Sequence, residues 1–150
     1  MINSHAELVK EVLHWADKME LIKTAMYVTD IGNIDVEINK AQYRVFVFSP
    51  LGMDFSDNYN SSITYGFQIL DKPSGANVKG VSNSETENIF CVSALNDYIN
   101  HINDGDITFG TMDLNTIDTE SGVVTSLSGT FSLNIKRTAS YWKKMEEYSA

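Results

Sequence analysis

Cysteine is almost missing from this 150-residue chain: Cys91 stands alone, so no intrachain disulfide can support the fold. Proline occurs only at Pro50 and Pro73, and no internal repeat, linker or low-complexity segment breaks the chain. Basic residues are scarce, 11 against 20 acidic ones, for a net charge of −9. An acidic body repels phosphate, which excludes sequence-independent DNA binding as the expected activity. The imbalance is uneven: residues 1–135 carry 7 basic and 18 acidic side chains, whereas the last fifteen carry 4 and 2. No stretch approaches the roughly 20 apolar residues of a membrane-spanning helix. The opening Met-Ile-Asn-Ser-His has no basic region ahead of an apolar run, so no signal peptide is expected. What is present is 43% hydrophobic and 11% aromatic, the composition of a globular chain made in the cytosol. The length predicts one domain over residues 1–150, large enough to bury roughly 70% of its unfolded surface.

Catalytic motifs are missing as well. His5, His14 and His101 lie far apart without an HExxH spacing or a neighbouring cysteine, so no zinc site is expected. His101 flanks an apolar stripe and reads as a residue of the core boundary, and Cys91 as a buried structural thiol. The oxygen-rich run from Asp54 to Asn60 is similar to a calcium loop. It has Tyr59 where the glycine belongs and Tyr65 where the closing glutamate belongs. Asp113, Asn115, Asp118 and Glu120 read as solvated turn residues. Gly52, Gly66, Gly80 and Gly110 stand singly, so no phosphate-cradling loop exists, and no GxSxG or acid–base carboxylate pair is visible. No enzyme and no cofactor are expected.

The stretch Ser82–Gly105 organises the rest. Ser84 followed by Glu87 forms a capping box, Val92, Leu95, Ile99 and Ile102 make an apolar stripe widened by Cys91 and Tyr98, and Asn103-Asp104-Gly105 supplies a stop. A second box, Ser4 to Glu7, opens a helix whose stripe Leu8, Val12, Trp15, Met19 and Ile22 predicts about five turns. From Ala25 the period changes to two. Strands are expected at Met26–Thr29, Ile34–Asn39, Tyr43–Phe48 (closed by Pro50) and Ile63–Ile69, with a short edge strand at Ala76–Val81. Leu51–Ser62 reads as the longest polar gap before the organising helix.

Ile107–Leu114 and Val123–Ile135 read as arms of one long hairpin with a polar, acidic tip at Asn115–Gly122. In the second arm Val123, Leu127, Phe131, Leu133 and Ile135 share a face with Thr125 and Gly129, and Ser126, Ser128, Thr130, Ser132 and Asn134 form a solvated one. Ser140 caps a short helix with Tyr141, Met145 and Tyr148 on one side. The expected fold class is α+β: a mainly antiparallel sheet with two amphipathic helices packed on it, a long C-terminal β-hairpin and a short C-terminal helix. The fold closes at Ile135, so residues 138–150 form a candidate interaction tail. The interface candidates are Asp118 and Glu120 at the tip and Tyr141, Trp142, Met145 and Tyr148 in the tail.

The order of the capped first helix, YRVFVFSP with SITYGFQIL, the helix SETENIFCVSALNDYINHI and the ITFGTMDL…GTFSLNIK hairpin resembles the tail-terminator and head–tail joining proteins of tailed bacteriophages. The likeness covers residues 4–135 and is one of element order and patterning. It implies a structural virion protein at the neck or tail end: a homo-oligomeric ring, commonly six- or twelve-fold, that joins tail to head around the DNA channel. Its implied partners are further copies of itself and neighbouring tail or connector proteins, with no sequence-specific nucleic acid and no membrane. Two other readings stay open. One is a small intracellular ligand-binding domain with an apolar pocket between sheet and helices, the other a hydrolase with a perturbed carboxylate or histidine in a cleft.

Overall fold

A computed structural model describes residues 2, 4–29, 42–55, 60–72, 83–103, 107–119 and 122–136 of the chain. Helix α1 spans His5–Lys18, and the Ser4 hydroxyl caps it by accepting the Glu7 N–H at 3.2 Å. Leu8, Val12 and Trp15 are buried as their spacing predicts. The helix ends one turn earlier than the stripe implies, because Met19 is already extended at φ −81° and ψ 109°. Ile22 still reaches the core, from a turn in which its N–H donates to the Met19 carbonyl at 3.1 Å.

Strands β1 (Thr24–Tyr27), β2 (Val45–Phe55) and β3 (Asn60–Asp71) precede helix α2 (Asn83–Asn103), which is followed by β4 (Ile107–Phe109), β5 (Asp113–Thr119) and β6 (Gly122–Lys136). They form one sheet in the order β1-β2-β3-β6-β4, with β5 also paired to β6. Among the described residues only β1 and β2 run parallel; the other pairings are antiparallel. The architecture is therefore α+β with a mostly antiparallel sheet and two helices. β4 and β5 share one edge of β6, and between them the Gly110 N–H donates to the Thr130 carbonyl at 2.9 Å. A Cβ on Gly110 would lie 2.6 Å from Thr130 Oγ1, so any other residue there would force the Thr130 side chain to shift.

Both helices contribute to a core on one face of the sheet, where Leu8, Val12, Trp15, Leu95 and Ile99 meet Phe46, Phe48, Tyr65, Phe67, Ile69, Leu127, Phe131 and Leu133. Tyr98 on α2 ties the helices together by donating to Glu11 Oε2 on α1 at 2.8 Å. The opposite face differs from the solvated one that the β6 alternation implies. Val45, Val47, Leu70 and Val124 form a second buried cluster there, backed by Met26, Val28 and Tyr43, and Ser126 is buried too. The strand alternation is right; what it misses is that a neighbouring strand apolar on both faces draws part of the polar face inward.

Three further expectations are corrected. The arm expected at Ile107–Leu114 is two strands, β4 and β5, and residues 115–119 of the expected tip are part of β5, paired to β6. Pro50 does not end β2, and the Leu51–Ser62 gap is mostly strand: β2 runs to Phe55 and β3 starts at Asn60. Proline is tolerated because a register shift falls between Pro50 and Gly52, at a point where β1 has already ended. The strands expected at Ile34–Asn39 and Ala76–Val81, the Glu120–Ser121 end of the hairpin tip and the helix after Ser140 lie outside the described residues.

Candidate functional site

The densest polar cluster sits where β2 begins. Arg44 is 4% exposed, and its Nε donates to Asn88 Oδ1 at 2.7 Å. Its Nη2 donates to Asp71 Oδ2 and to Glu87 Oε2, both at 2.8 Å. Ser84 Oγ donates to the same Asp71 oxygen at 2.8 Å and meets Thr125 Oγ1, which also receives Asn88 Nδ2 at 3.3 Å. The helix starts at Asn83, so Ser84 and Glu87 both face the sheet: Arg44 and Asp71 have taken up the groups expected to form the capping box. This set joins β2, β3, β6 and the first turns of α2. The charged and polar groups answer one another inside it, so its chemistry is that of a clamp.

Cys91 lies beside this clamp and is fully buried. Burial pushes its thiol from an ordinary 9.0 up to about 11; nearby Arg44 opposes the shift, while Glu87 and Asp71 add to it. Burial raises the Tyr65 hydroxyl as well, with Tyr27 reinforcing the effect. Both groups ionise later in the folded chain than in the unfolded one. Stability is therefore full below about pH 9 and falls as pH rises through the interval to about 11. A thiol reagent at pH 8 is expected to leave Cys91 unmodified in the native chain and to modify it fully in urea. Rapid stoichiometric labelling of the native chain would contradict this burial.

His5 is held between two tyrosines. Its Nδ1 lies 2.6 Å from the Tyr65 hydroxyl, and its Nε2 accepts from, or donates to, the Tyr27 hydroxyl at 3.1 Å. The imidazole stacks on Tyr65 with ring centroids 5.6 Å apart, which pins the start of α1 to the sheet. His14 and His101 are exposed, so His101 is not at the core boundary where its place beside the stripe put it. Among the described residues no group of three or more His, Cys, Asp or Glu side chains could hold a metal ion.

The most distinctive surface is the far end of β2. Ile107, Leu133, Ile63 and Met53 are successive cross-strand partners and so form one row on the core face. Burial fails along that row: Ile107 and Leu133 are buried, Ile63 is half-buried and Met53 is 55% exposed. In the next row outward Phe55 opposes Ser61, which opposes Ile135, and Phe55 is 59% exposed. The register shift after Pro50 is what brings Met53 and Phe55 to the face that Phe46 and Phe48 occupy. Leu51, also more than half exposed, lies over Gly66 on the other face, where a Cβ would come within 3.2 Å of its Cδ1. β1 accompanies β2 only as far as Phe48, and among the described residues no strand pairs with β2's outer edge between Pro50 and Asp54. Leu51, Met53 and Phe55 thus give three exposed apolar side chains within five residues, one on one face of the sheet and two on the other.

Of the six interface candidates, Asp118 lies in β5 opposite Val123, and Glu120, Tyr141, Trp142, Met145 and Tyr148 lie outside the described residues. Sequence reasoning missed both the Arg44 clamp and the Met53–Phe55 surface. A lone arginine inside YRVFVF and alternating apolar residues within an apparent polar gap are the signals that point to them.

The space between helices and sheet, where a ligand pocket would sit, is occupied by packed side chains. A groove of about 610 Å³ lies elsewhere, between α1 and the segment entering β1, and its lining mixes Lys10, Glu11, His14, Asp17 and Lys23 with Leu13, Ile22 and Ala25. No helix among the described residues is long and apolar enough to cross a membrane. Comparison with protein-family models finds no match for this chain, and comparison with curated proteins finds none either.

Proposed function

We propose that this chain is a structural virion protein of a tailed phage, a tail terminator or head–tail joining protein that forms a homo-oligomeric ring at the neck or tail end. The observation that carries the reading is the exposed apolar end of β2, with Met53 55% exposed on the core face of the sheet and Leu51 56% exposed on the other. A chain acting alone gains nothing from displaying core-type side chains on an edge that no described strand pairs with, whereas a ring-former needs a self-adhesive surface. The net charge of −9 suits a ring around a DNA channel, because an acidic lumen lets the genome pass without adhering to it. In this reading β4, β5 and β6 belong to a long hairpin that closes through residues 120–121, with Asp118 and Glu120 at its tip. The segment from Ser140 forms a short helix carrying Tyr141, Trp142, Met145 and Tyr148. The partners are further copies, six or twelve to the ring, and neighbouring tail or connector proteins. The contribution of the protein is assembly geometry, with no turnover, no cofactor and no membrane.

Sedimentation velocity with negative-stain imaging tests this proposal. Expected are closed rings whose mass is a multiple of the 16.8 kDa chain, together with no duplex DNA shift in a gel near physiological salt. A monomer at every concentration, or tight salt-sensitive DNA binding, would sink it.

A further inference from the structure

We infer that the outer face of α2, around Ile89 and Phe90, receives the C-terminal segment, residues 137–150, of another copy; this rests on the ring reading above. Asn88, Cys91, Val92, Leu95 and Ile99 on α2 are buried, yet Ile89 and Phe90 are 45% and 58% exposed. Two exposed apolar side chains are ordinary by themselves; their surroundings select the partner. α2 carries Glu85, Glu87 and Asp97 and neither lysine nor arginine. Glu85 stands one turn before Ile89, Glu87 one turn before Phe90 and Asp97 two turns beyond it, so the apolar pair has an acidic rim. Glu87 keeps 45% of its side chain exposed beside Arg44, and Asp97 is exposed.

The occupant that suits such a face is aromatic and basic. Residues 137–150 bring Tyr141, Trp142, Met145 and Tyr148 together with Arg137, Lys143 and Lys144, at the net-basic end of an acidic chain. Reach assigns this segment to another copy. Asn88 Nδ2 donates to Thr125 Oγ1 at 3.3 Å, which sets the start of α2 over the start of β6. The described chain ends at Lys136, and Thr125 and Lys136 stand roughly 35 Å apart along β6 at about 3.4 Å per residue. Three extended residues and a helix from Ser140 would carry Trp142 about 15 Å and Tyr148 about 25 Å from that end. The tail therefore falls short of its own Ile89 and Phe90 and meets those of another copy. A contact between different surfaces of identical copies is heterologous, the kind that propagates around a ring and closes it.

Charge reversal in the full chain tests the assignment. Lys143→Glu with Lys144→Glu reverses the donor. Glu85→Lys with Asp97→Lys reverses the receptor and leaves the partners of Arg44 untouched. Each pair alone is expected to raise the concentration needed for assembly by about tenfold or more in sedimentation, and the four together in one chain to restore it. A receptor variant that had lost its fold would not be restored by changing the tail. Rings unaffected by either pair, or not restored by the four, would overturn this inference and leave the ring reading standing. A closed dimer with the same response would keep the contact and overturn the ring. A monomer at every concentration would overturn both.

Discussion

Arg44→Ala is expected to destabilise the fold by about 3 kcal/mol, at the lower end of the roughly 3–5 kcal/mol cost of removing one partner from a buried ion pair. The Arg44 side chain is 3% exposed and spans two carboxylates, but those partners are not equally committed. Glu87 is 45% exposed and can turn to water when the guanidinium is gone, so its loss contributes little. Asp71 is only 19% exposed, and Asn88 is buried with an oxygen that loses its donor, so these two groups carry most of the penalty. Glu87→Gln is accordingly expected to cost less than about 1 kcal/mol. Urea unfolding at constant m-value measures both. Equal costs for the two substitutions would show that the clamp is not organised around Asp71 and Asn88.

Phe131→Ala is expected to cost about 3–5 kcal/mol, the usual range for truncating a buried aromatic. The ring is 1% exposed and sits among four others: Tyr65 at 5.2 Å between centroids, Phe109 at 5.5 Å, Phe67 at 5.9 Å and Phe48 at 6.4 Å. Those neighbours lie on β2, β3 and β4, so no single strand can shift to fill the void. Room for this cluster is made in part by Gly129, where a Cβ would come within 3.0 Å of Met112 Cγ and 3.2 Å of the Phe67 ring. A loss below about 1 kcal/mol by thermal or urea unfolding would mean that the aromatic cluster collapses freely and does not set the packing of the sheet.

The helical half of the fold was legible because stripe spacing is a local property. Leu8, Val12 and Trp15 on α1, and Val92, Leu95 and Ile99 on α2, are buried as their intervals require. The period-two pattern likewise located the cores of β2, β3 and β6. Errors arose where a tertiary fact outweighed local pattern. Pro50 reads as a strand terminator in isolation, but a register shift at an edge that β1 has left free accommodates it. Leu51–Ser62 reads as a loop because most of its residues are polar, and an exposed strand end has no need of the usual apolar fraction.

The Arg44 clamp was illegible for a different reason. Its members stand at 44, 71, 84, 87, 88 and 125, and only the strand register brings them together. The helix box Ser84–Glu87 offered a sufficient local explanation for two of them, which concealed the longer-range one. Met53 and Phe55 pass for loop residues until the shift after Pro50 shows that they continue the row of the core.

The central claim is that the end of β2 is an assembly surface, and amide hydrogen exchange across residues 49–55 tests it most directly. The full-length chain is measured dilute and then concentrated, with β6 residues 124–131 as the internal reference. The account predicts that exchange at 49–55 slows at least tenfold in the concentrated sample while the reference is unchanged. Equal exchange at 49–55 in both samples, with the sedimenting mass rising between them, would contradict it, because the copies would then meet through another surface.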